Sequence, residues 1–183
     1  PTDYERPTVQ SYEGDTVSLK VNEDVALSLK KLAKDTKTTM HMVLMSAFYI
    51  LLSKYARQED IIIGTPIAGR VHPETQNMVG MFVNTLALRN KPESNKTYLE
   101  FLKEVRENLL EAYENQNYQF ENLVEKLEIK KDTSRNPLFD VMFNMMDTFT
   151  RESINLGNSA LEKCSSENEI AKVDLILNAI DDD

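Results

Sequence analysis

The stretch DTSRNPLFDVMF, from Asp132 to Phe143, joins six polar or turn-forming residues to a mostly apolar block. Asn136 precedes Pro137 and is therefore biased to extended geometry, while proline is tolerated only at the first position of a strand or on an edge. Behind the proline the apolar side chains alternate, with Phe139, Val141 and Phe143 on one face and Leu138 and Met142 on the other. This pattern is typical of a strand buried on both faces, so the stretch predicts a buried strand that starts at the proline.

The polar half of the stretch predicts a turn in front of that strand. Asp132, Ser134 and Arg135 are expected to hold the turn through local hydrogen bonds, which Asp and Ser side chains commonly form. A structural role is therefore favoured over a reactive loop. Arg135 is the residue of the turn for which a functional role remains to be tested.

Apolar periodicity along the rest of the chain predicts alternating strands and helices. Strands are predicted at residues 15–21, 60–66, 81–89, 138–146 and 169–180. Helices are predicted after the capping residues Asn22, Thr38 and Thr97, and at residues 120–127. The helix after Thr38 is apolar around nearly its whole circumference and is expected to be the buried central helix. Strands separated by helices predict an α/β (α+β layered) fold with a mixed central sheet.

The composition limits the classes of partner. The chain has 183 residues, of which 41% are hydrophobic, enough for one sizeable core in one domain or one lobe. Its formal net charge of -9 argues against a nucleic-acid or anionic-membrane surface, because phosphate groups are bound by clustered Lys and Arg. The longest apolar block, residues 40–52, is too short to span a bilayer.

One cysteine, Cys164, permits no internal disulfide and fits a reducing, cytoplasmic location. It lies in a polar stretch without an activating neighbour and is expected to be incidental. The first ten residues contain no apolar leader segment, and both ends are expected to be cuts in a longer polypeptide.

The two histidines are weak candidates for chemistry. His41 lies inside the predicted buried helix, and His72 precedes Pro73 in a polar loop. Neither has an orienting acid at a suitable spacing, and no Cys/His/Asp pattern supplies the ligands of a metal site. Structural or solvated roles are expected for both, so no catalytic residue and no metal site is predicted.

Asn84 and Thr85 are neighbouring polar residues inside an apolar strand. Successive strand residues face opposite sides, so one of the two points towards the core or a cavity and needs a hydrogen-bond partner. A satisfied internal hydrogen bond and a cavity-lining role are both open at this point.

Three ordered segments carry a resemblance to a known family. They are VGMFVNTLALR at residues 79–89, NQNYQFENLVEKL at residues 115–127 and KDTSRNPLFDVMF at residues 131–143. In this order and spacing they resemble the last three core motifs of the condensation domain of nonribosomal peptide synthetases. The second motif departs from the family pattern at Asn117, where an acid is usual, and at Gln119, where a proline is usual. Lys131 stands where an arginine is usual.

The resemblance implies a fold and an activity. The family domain has two lobes, each like chloramphenicol acetyltransferase, and joins a donor acyl group to an acceptor amine. Both substrates are phosphopantetheine thioesters on carrier proteins, and the first lobe carries a paired-histidine motif, HHxxxDG. This sequence has no adjacent histidines, so residues 1–183 resemble the C-terminal lobe alone, without the catalytic motif. By itself the lobe is expected to be inactive.

The resemblance also assigns residues and partners. Candidates for the substrate tunnel or the acceptor side are Asn84, Thr85, Gln116 and Arg135. Residues that match the motifs in a structural capacity are Gly80, Phe82, Asp132, Ser134, Asn136 and Pro137. The expected partners are the N-terminal lobe, peptidyl carrier proteins and an adjacent adenylation domain. The phosphopantetheine arm would come from the carriers, with no cofactor bound by this lobe, and the exposed lobe face is expected to favour self-association.

Two other functions stay open at this point. One is a single-lobe acyltransferase that depends on coenzyme A or a carrier protein, against which the missing H-x-x-x-D spacing argues. The other is a non-catalytic module that docks carrier proteins.

Overall fold

The computed structural model describes residues 2–130, 132–147 and 170–181, which form four strands and four α-helices with one short 3-10 turn. In chain order the elements are α1 (Glu23–Asp35), α2 (Met40–Ala56), β1 (Ile61–Ile67), the 3-10 turn (Pro73–Thr75), β2 (Asn84–Asn90), α3 (Tyr98–Glu114), α4 (Phe120–Lys126), β3 (Val141–Asp147) and β4 (Leu175–Asp181).

The four strands form one mixed sheet in the order β2-β1-β3-β4. β1 and β2 are antiparallel, with Ile61 opposite Asn90 and Ile67 opposite Asn84. β3 runs parallel both to β1, where Gly64 lies beside Met142, and to β4. The predicted mixed sheet packed with helices is therefore confirmed.

Helices α2 and α3 cover one face of the sheet and form the core with it. The fully buried side chains are Val43, Met45, Ser46, Tyr49, Ile63, Thr65, Leu102, Val105, Leu109 and Phe143. In α3 the buried positions recur at three- and four-residue intervals, so they lie on one stripe of the helix. The other sheet face is covered at Gly64 by the ring of Phe139, and a Cβ at this glycine would lie 2.4 Å from that ring.

Side-chain caps set the starts of three helices. The Asn22 side chain accepts a hydrogen bond from the Asp24 amide at the start of α1. Thr97 and Glu100 form the predicted capping box at the start of α3. The cap of α2 is Thr39, which accepts from the Met42 amide, so the predicted cap at Thr38 was wrong by one residue. The Thr38 hydroxyl instead lies 2.9 Å from that of Thr36.

The predicted strand at residues 15–21 was wrong. Val17 and Leu19 are 85% and 91% exposed, and the segment has no strand partner in the described part of the chain. Apolar alternation gives a segment one apolar face, but a strand also needs a neighbouring backbone to hydrogen-bond to. The nearest pairing is a single bridge from Glu13 to Ile170.

The strand behind Pro137 starts later than the sequence predicts. Leu138 has φ 69°, in the left-handed region, and the Phe139 amide donates to the Pro137 carbonyl at 2.9 Å. The chain therefore turns tightly at Leu138, and β3 begins only at Val141. β3 is a central strand, but most of its described side chains are half-buried, and Phe143 alone among them is fully buried.

The contribution of one buried hydrogen bond to the stability of the core can be tested at Tyr49. Its hydroxyl donates to the Leu88 carbonyl of β2 at 2.7 Å in a fully buried site, and burial raises its pKa well above the usual value. We expect Tyr49→Phe to lower the free energy of unfolding by about 1–2 kcal/mol, because the bond is lost without a change in ring packing. Urea unfolding measures this difference. Tyr55→Phe is the control because Tyr55 is on the same helix and 75% exposed, and equal midpoints for the two variants would contradict the prediction.

Candidate functional site

A cleft of about 510 Å³ lies where the end of β1 meets the first turn of α2, the end of α3 and the middle of β3. Its lining residues are His41, Thr65, Pro66, Ile67, Ala68, Gly69, Arg70, Tyr113, Gln116, Asn144 and Met145. No acidic side chain is among these described lining residues, and Arg70 is the cation among them. The cleft therefore offers apolar walls with several neutral polar groups.

Asn84, at the start of β2, joins the sheet to the connection between α3 and α4. Its side-chain nitrogen donates to the Gln116 and Tyr118 carbonyls, at 2.9 Å each. Its side-chain oxygen accepts from the Phe120 amide at 3.2 Å and from the Thr85 amide at 2.9 Å. Both N–H groups and the oxygen are thus used inside the protein. Asn84 is buried, with 6% exposure, and is not among the residues that line the cleft.

The connection that Asn84 holds supplies one wall of the cleft. Gln116 lies in this wall, and its side-chain nitrogen donates to the Tyr113 carbonyl at 2.8 Å. Among the described residues no donor bonds the Gln116 side-chain oxygen. Thr85 lies opposite Pro66 across the β1–β2 ladder and points to the other sheet face from Asn84, outside the lining set.

The segment after β1 supplies the opposite wall. Gly69 has φ 64°, and a Cβ there would lie 1.9 Å from the Phe82 carbonyl oxygen, so only glycine fits this close approach. The Arg70 guanidinium lies 4.4 Å from the centre of the Phe82 ring and donates to the Thr75 carbonyl. Gly80 lies against the same ring, where a Cβ would be 3.1 Å away. Phe82, with Gly80 against its ring, therefore supports the segment after β1 that carries Arg70.

His41 lies in the first turn of α2 and is part of the lining. Its ring packs edge-on against Phe143, with the ring centres 5.0 Å apart. Its Nδ1 atom is buried and has no hydrogen-bond partner among the described residues. Burial lowers the pKa of the imidazole below its usual value, which favours the neutral form.

The remaining candidates for chemistry lie elsewhere. His72 is exposed, and its Nδ1 accepts from the Glu74 amide at 3.3 Å. The described ranges contain no group of three or more side chains that could hold a metal ion, and no helix in them is long and apolar enough to cross a membrane. Lys131 and Cys164 lie outside the described residues.

The family of the chain follows from a comparison over its whole length. A family model, described as Condensation domain, matches residues 1–183. This chain belongs to the condensation-domain family. Gramicidin S synthase 2 of Brevibacillus brevis is 48% identical over 180 residues, which are 98% of this chain and 4% of that protein. Tyrocidine synthase 3 of Brevibacillus parabrevis is 49% identical over 179 residues, 98% of this chain and 3% of that protein. The condensation-domain chain thus spans a small fraction of these relatives.

Solved structures share the fold of this condensation-domain chain. A four-domain nonribosomal peptide synthetase bound to AMP and glycine superimposes with a TM-score of 0.80 at 34% identity, covering 83% of this chain and 12% of that chain. The X-domain from teicoplanin biosynthesis gives a TM-score of 0.81 at 23% identity, covering 96% and 39%. With the mixed sheet, these similarities confirm the predicted chloramphenicol-acetyltransferase-like lobe.

The third motif of this condensation-domain chain forms a turn outside the cleft. The Asp132 carboxylate accepts from the Ser134 hydroxyl at 2.6 Å and from the Ser134 amide at 2.9 Å, and these bonds lower its pKa. Arg135 donates from Nε to the Asp140 carboxylate at 2.9 Å. The predicted turn with local hydrogen bonds is therefore confirmed.

The same turn is tied to the two ends of the described chain. The Asn136 side chain donates to the Lys172 carbonyl at 2.6 Å, and Pro137 follows it into the tight turn at Leu138. The Asp140 carboxylate also lies 3.9 Å from Arg6, which pairs with Asp174 just before β4. Arg135 is thus one member of an ion-pair network that fixes the turn, the N-terminal segment and the start of β4.

Sequence reasoning missed Gly69, Arg70 and His41 as parts of one cleft. The Gly-Arg pair directly after a buried strand was the available signal for the first two. For His41 the signal was a polar residue on an otherwise apolar helix. Such a residue either is buried in the core or lines a cleft, and only its neighbours in the structure decide between the two.

A substitution of Arg135 distinguishes a structural role of this residue from a catalytic one. We expect Arg135→Ala in an intact two-lobe domain to lower the unfolding free energy by about 1 kcal/mol, since its ion pair is half-exposed. Turnover per folded molecule should stay unchanged, because the side chain is bound to Asp140 outside the cleft. Urea unfolding and active-site-normalised amide formation measure the two quantities. A large loss of turnover at unchanged stability would give Arg135 a functional role, and Lys103→Ala, at an exposed ion pair on α3, is the matched control.

Proposed function

We propose that this chain is the C-terminal lobe of a condensation domain that forms amide bonds between carrier-bound thioesters. The N-terminal lobe of the same domain would supply the paired-histidine motif. The observation that carries the proposal is the link between two family motifs: Asn84 of the first motif holds the backbone of Gln116 in the second, and Gln116 forms a wall of the cleft.

The chemistry available in the cleft suits binding and positioning. Amide formation requires the acceptor amine to attack the donor thioester carbonyl, so that a C–N bond forms, the C–S bond breaks and the thiol leaves with a proton. A base for the amine would be a histidine oriented by an acid. His41 has no acidic partner in the described part of the lobe, and His72 is exposed outside the cleft. The proposal therefore assigns proton transfer to the other lobe.

The proposal gives different roles to the four tunnel or acceptor-side candidates, Asn84, Thr85, Gln116 and Arg135. Gln116 is the member of this set that lines the cleft, and it is the proposed substrate contact. The Asn84 side chain holds Gln116 in position, because it donates hydrogen bonds to two backbone carbonyls, one of them that of Gln116. Thr85 and Arg135 are proposed to stabilise the strand and the turn.

The proposed partners follow from the same role. Peptidyl carrier proteins would bring the two phosphopantetheine thioesters, an adenylation domain would lie next to the condensation domain, and the enzyme would work in the cytoplasm. The loop before β2 exposes Val79 and Met81, at 104% and 89%, and β4 exposes apolar side chains at the sheet edge. These surfaces support both a contact with the N-terminal lobe and self-association of the isolated lobe.

The proposal is tested by combining this chain with an N-terminal lobe that carries the paired-histidine motif. We expect the chain alone to form no amide between two loaded carriers, and a two-lobe domain that combines it with a paired-histidine lobe to form one, because the proton-transfer group lies in the added lobe. Mass spectrometry of the acceptor carrier detects the product.

The control is the same two-lobe domain with the paired-histidine motif replaced by alanines, which should be folded and inactive. Amide formation by the chain alone would contradict the proposal. If the chain alone transfers an acyl group from an acyl-coenzyme A thioester to a free amine and releases coenzyme A, a single-lobe acyltransferase is supported instead.

A further inference from the structure

The cleft contains an unusual placement of His41. An imidazole whose Nδ1 is buried without a partner is less stable there than a ring of similar shape without nitrogen atoms, because the desolvation of the nitrogen is not compensated. The contact with Phe143 requires only an aromatic ring, so packing does not explain a histidine at this position.

Other polar groups of the cleft are also incompletely used. The Gln116 side-chain oxygen accepts no hydrogen bond from the described residues, and neither does the Tyr113 hydroxyl take part in one. Asn144 follows the core residue Phe143 in β3, so its side chain lies on the other sheet face, where its nitrogen donates to Asn178 at 3.3 Å. His41, Gln116 and Tyr113 therefore line one cleft of about 510 Å³, and each has a polar side-chain atom that no described residue bonds.

The charges that line the cleft limit the kinds of ligand that it can bind. The described lining holds no carboxylate, and its cation, Arg70, is engaged with Phe82 and with the Thr75 carbonyl. A neutral imidazole offers one N–H donor and one acceptor lone pair. A secondary amide has one C=O and one N–H and can pair with either function of the imidazole, and its flanking carbons suit the apolar lining residues Ile67 and Met145.

We infer that His41 is a positioning residue that hydrogen-bonds a secondary amide of the carrier-bound donor in this cleft, next to Gln116. The inference rests on the proposed function, since it takes the donor to be a carrier thioester. The bond anchors the donor chain and does not transfer a proton. The amide has two possible sources, the phosphopantetheine arm and a peptide bond of the donor acyl group.

The test uses the two-lobe domain and small donor thioesters of four kinds. A peptidyl or an amide-free acyl group is attached to either pantetheine or ethanethiol, so that each source of the amide is present or absent independently. KM and kcat for the donor are measured for wild type, His41→Phe, His41→Gln and the control Tyr55→Phe, which removes a polar atom from the exposed end of α2.

We expect His41→Phe to raise the donor KM about tenfold, the loss of one hydrogen bond, while kcat changes less than about twofold. The increase in KM should occur only with donors that contain one of the two amide sources, either the pantetheine arm or the peptide bond. It should be absent for the donor that lacks both. His41→Gln keeps a donor and an acceptor and should restore KM to within about threefold of wild type. Tyr55→Phe should leave both constants unchanged.

A purely structural histidine gives a different result. His41→Phe would then leave KM unchanged for all four donors, and that result overturns the inference; a higher Tm is expected in either case, because an unpaired buried nitrogen is removed. If His41→Phe does not fold, His41→Leu replaces it with the same expectation for KM. A wild-type two-lobe domain that forms no amide between two loaded carriers overturns the proposed function, and this inference with it.

Discussion

The side chain of Asn84 is the constraint on which the cleft depends. One buried amide bonds the carbonyls of Gln116 and Tyr118 and the amide of Phe120, and so fixes the chain between α3 and α4 against the first residue of β2. Two family motifs separated by about thirty residues are therefore joined by one set of hydrogen bonds. An asparagine suits it because its side chain offers two donors and an acceptor at one point, which neither aspartate nor a hydroxyl side chain does.

The rest of the lobe serves this arrangement. The core of α2, α3 and the sheet holds β1 and β2 in place, Gly69 lets the segment after β1 approach Phe82 closely, and the ion-pair turn at Arg135 sets the start of β3. The result is a cleft with neutral polar groups and without an oriented acid–base pair in the described residues. Such a lining would suit the binding of an uncharged chain, which is the role proposed for it beside a separate catalytic motif.

Local patterns in the sequence predicted the mixed α/β lobe, the capping box at Thr97 and the turn at Asp132, because each depends on neighbours a few residues apart. They failed at residues 15–21, where alternation was present but no partner strand is, and at Leu138, whose left-handed backbone conformation delays β3. The cleft could not be predicted, because the contact between Asn84 and Gln116 joins distant segments. That Asn84 needed a partner was predictable, and the identity of the partner was not.

The claim that Asn84 fixes the wall of the cleft is tested most directly by residue-resolved hydrogen exchange. In wild type the amide of Phe120, which donates to the Asn84 side chain, should be protected. In Asn84→Ala it should lose most of that protection, whereas the amide of Phe101, bonded to the Thr97 carbonyl at the start of α3, should keep its own. Equal protection of Phe120 in both proteins would contradict the account and show that the wall is held without Asn84.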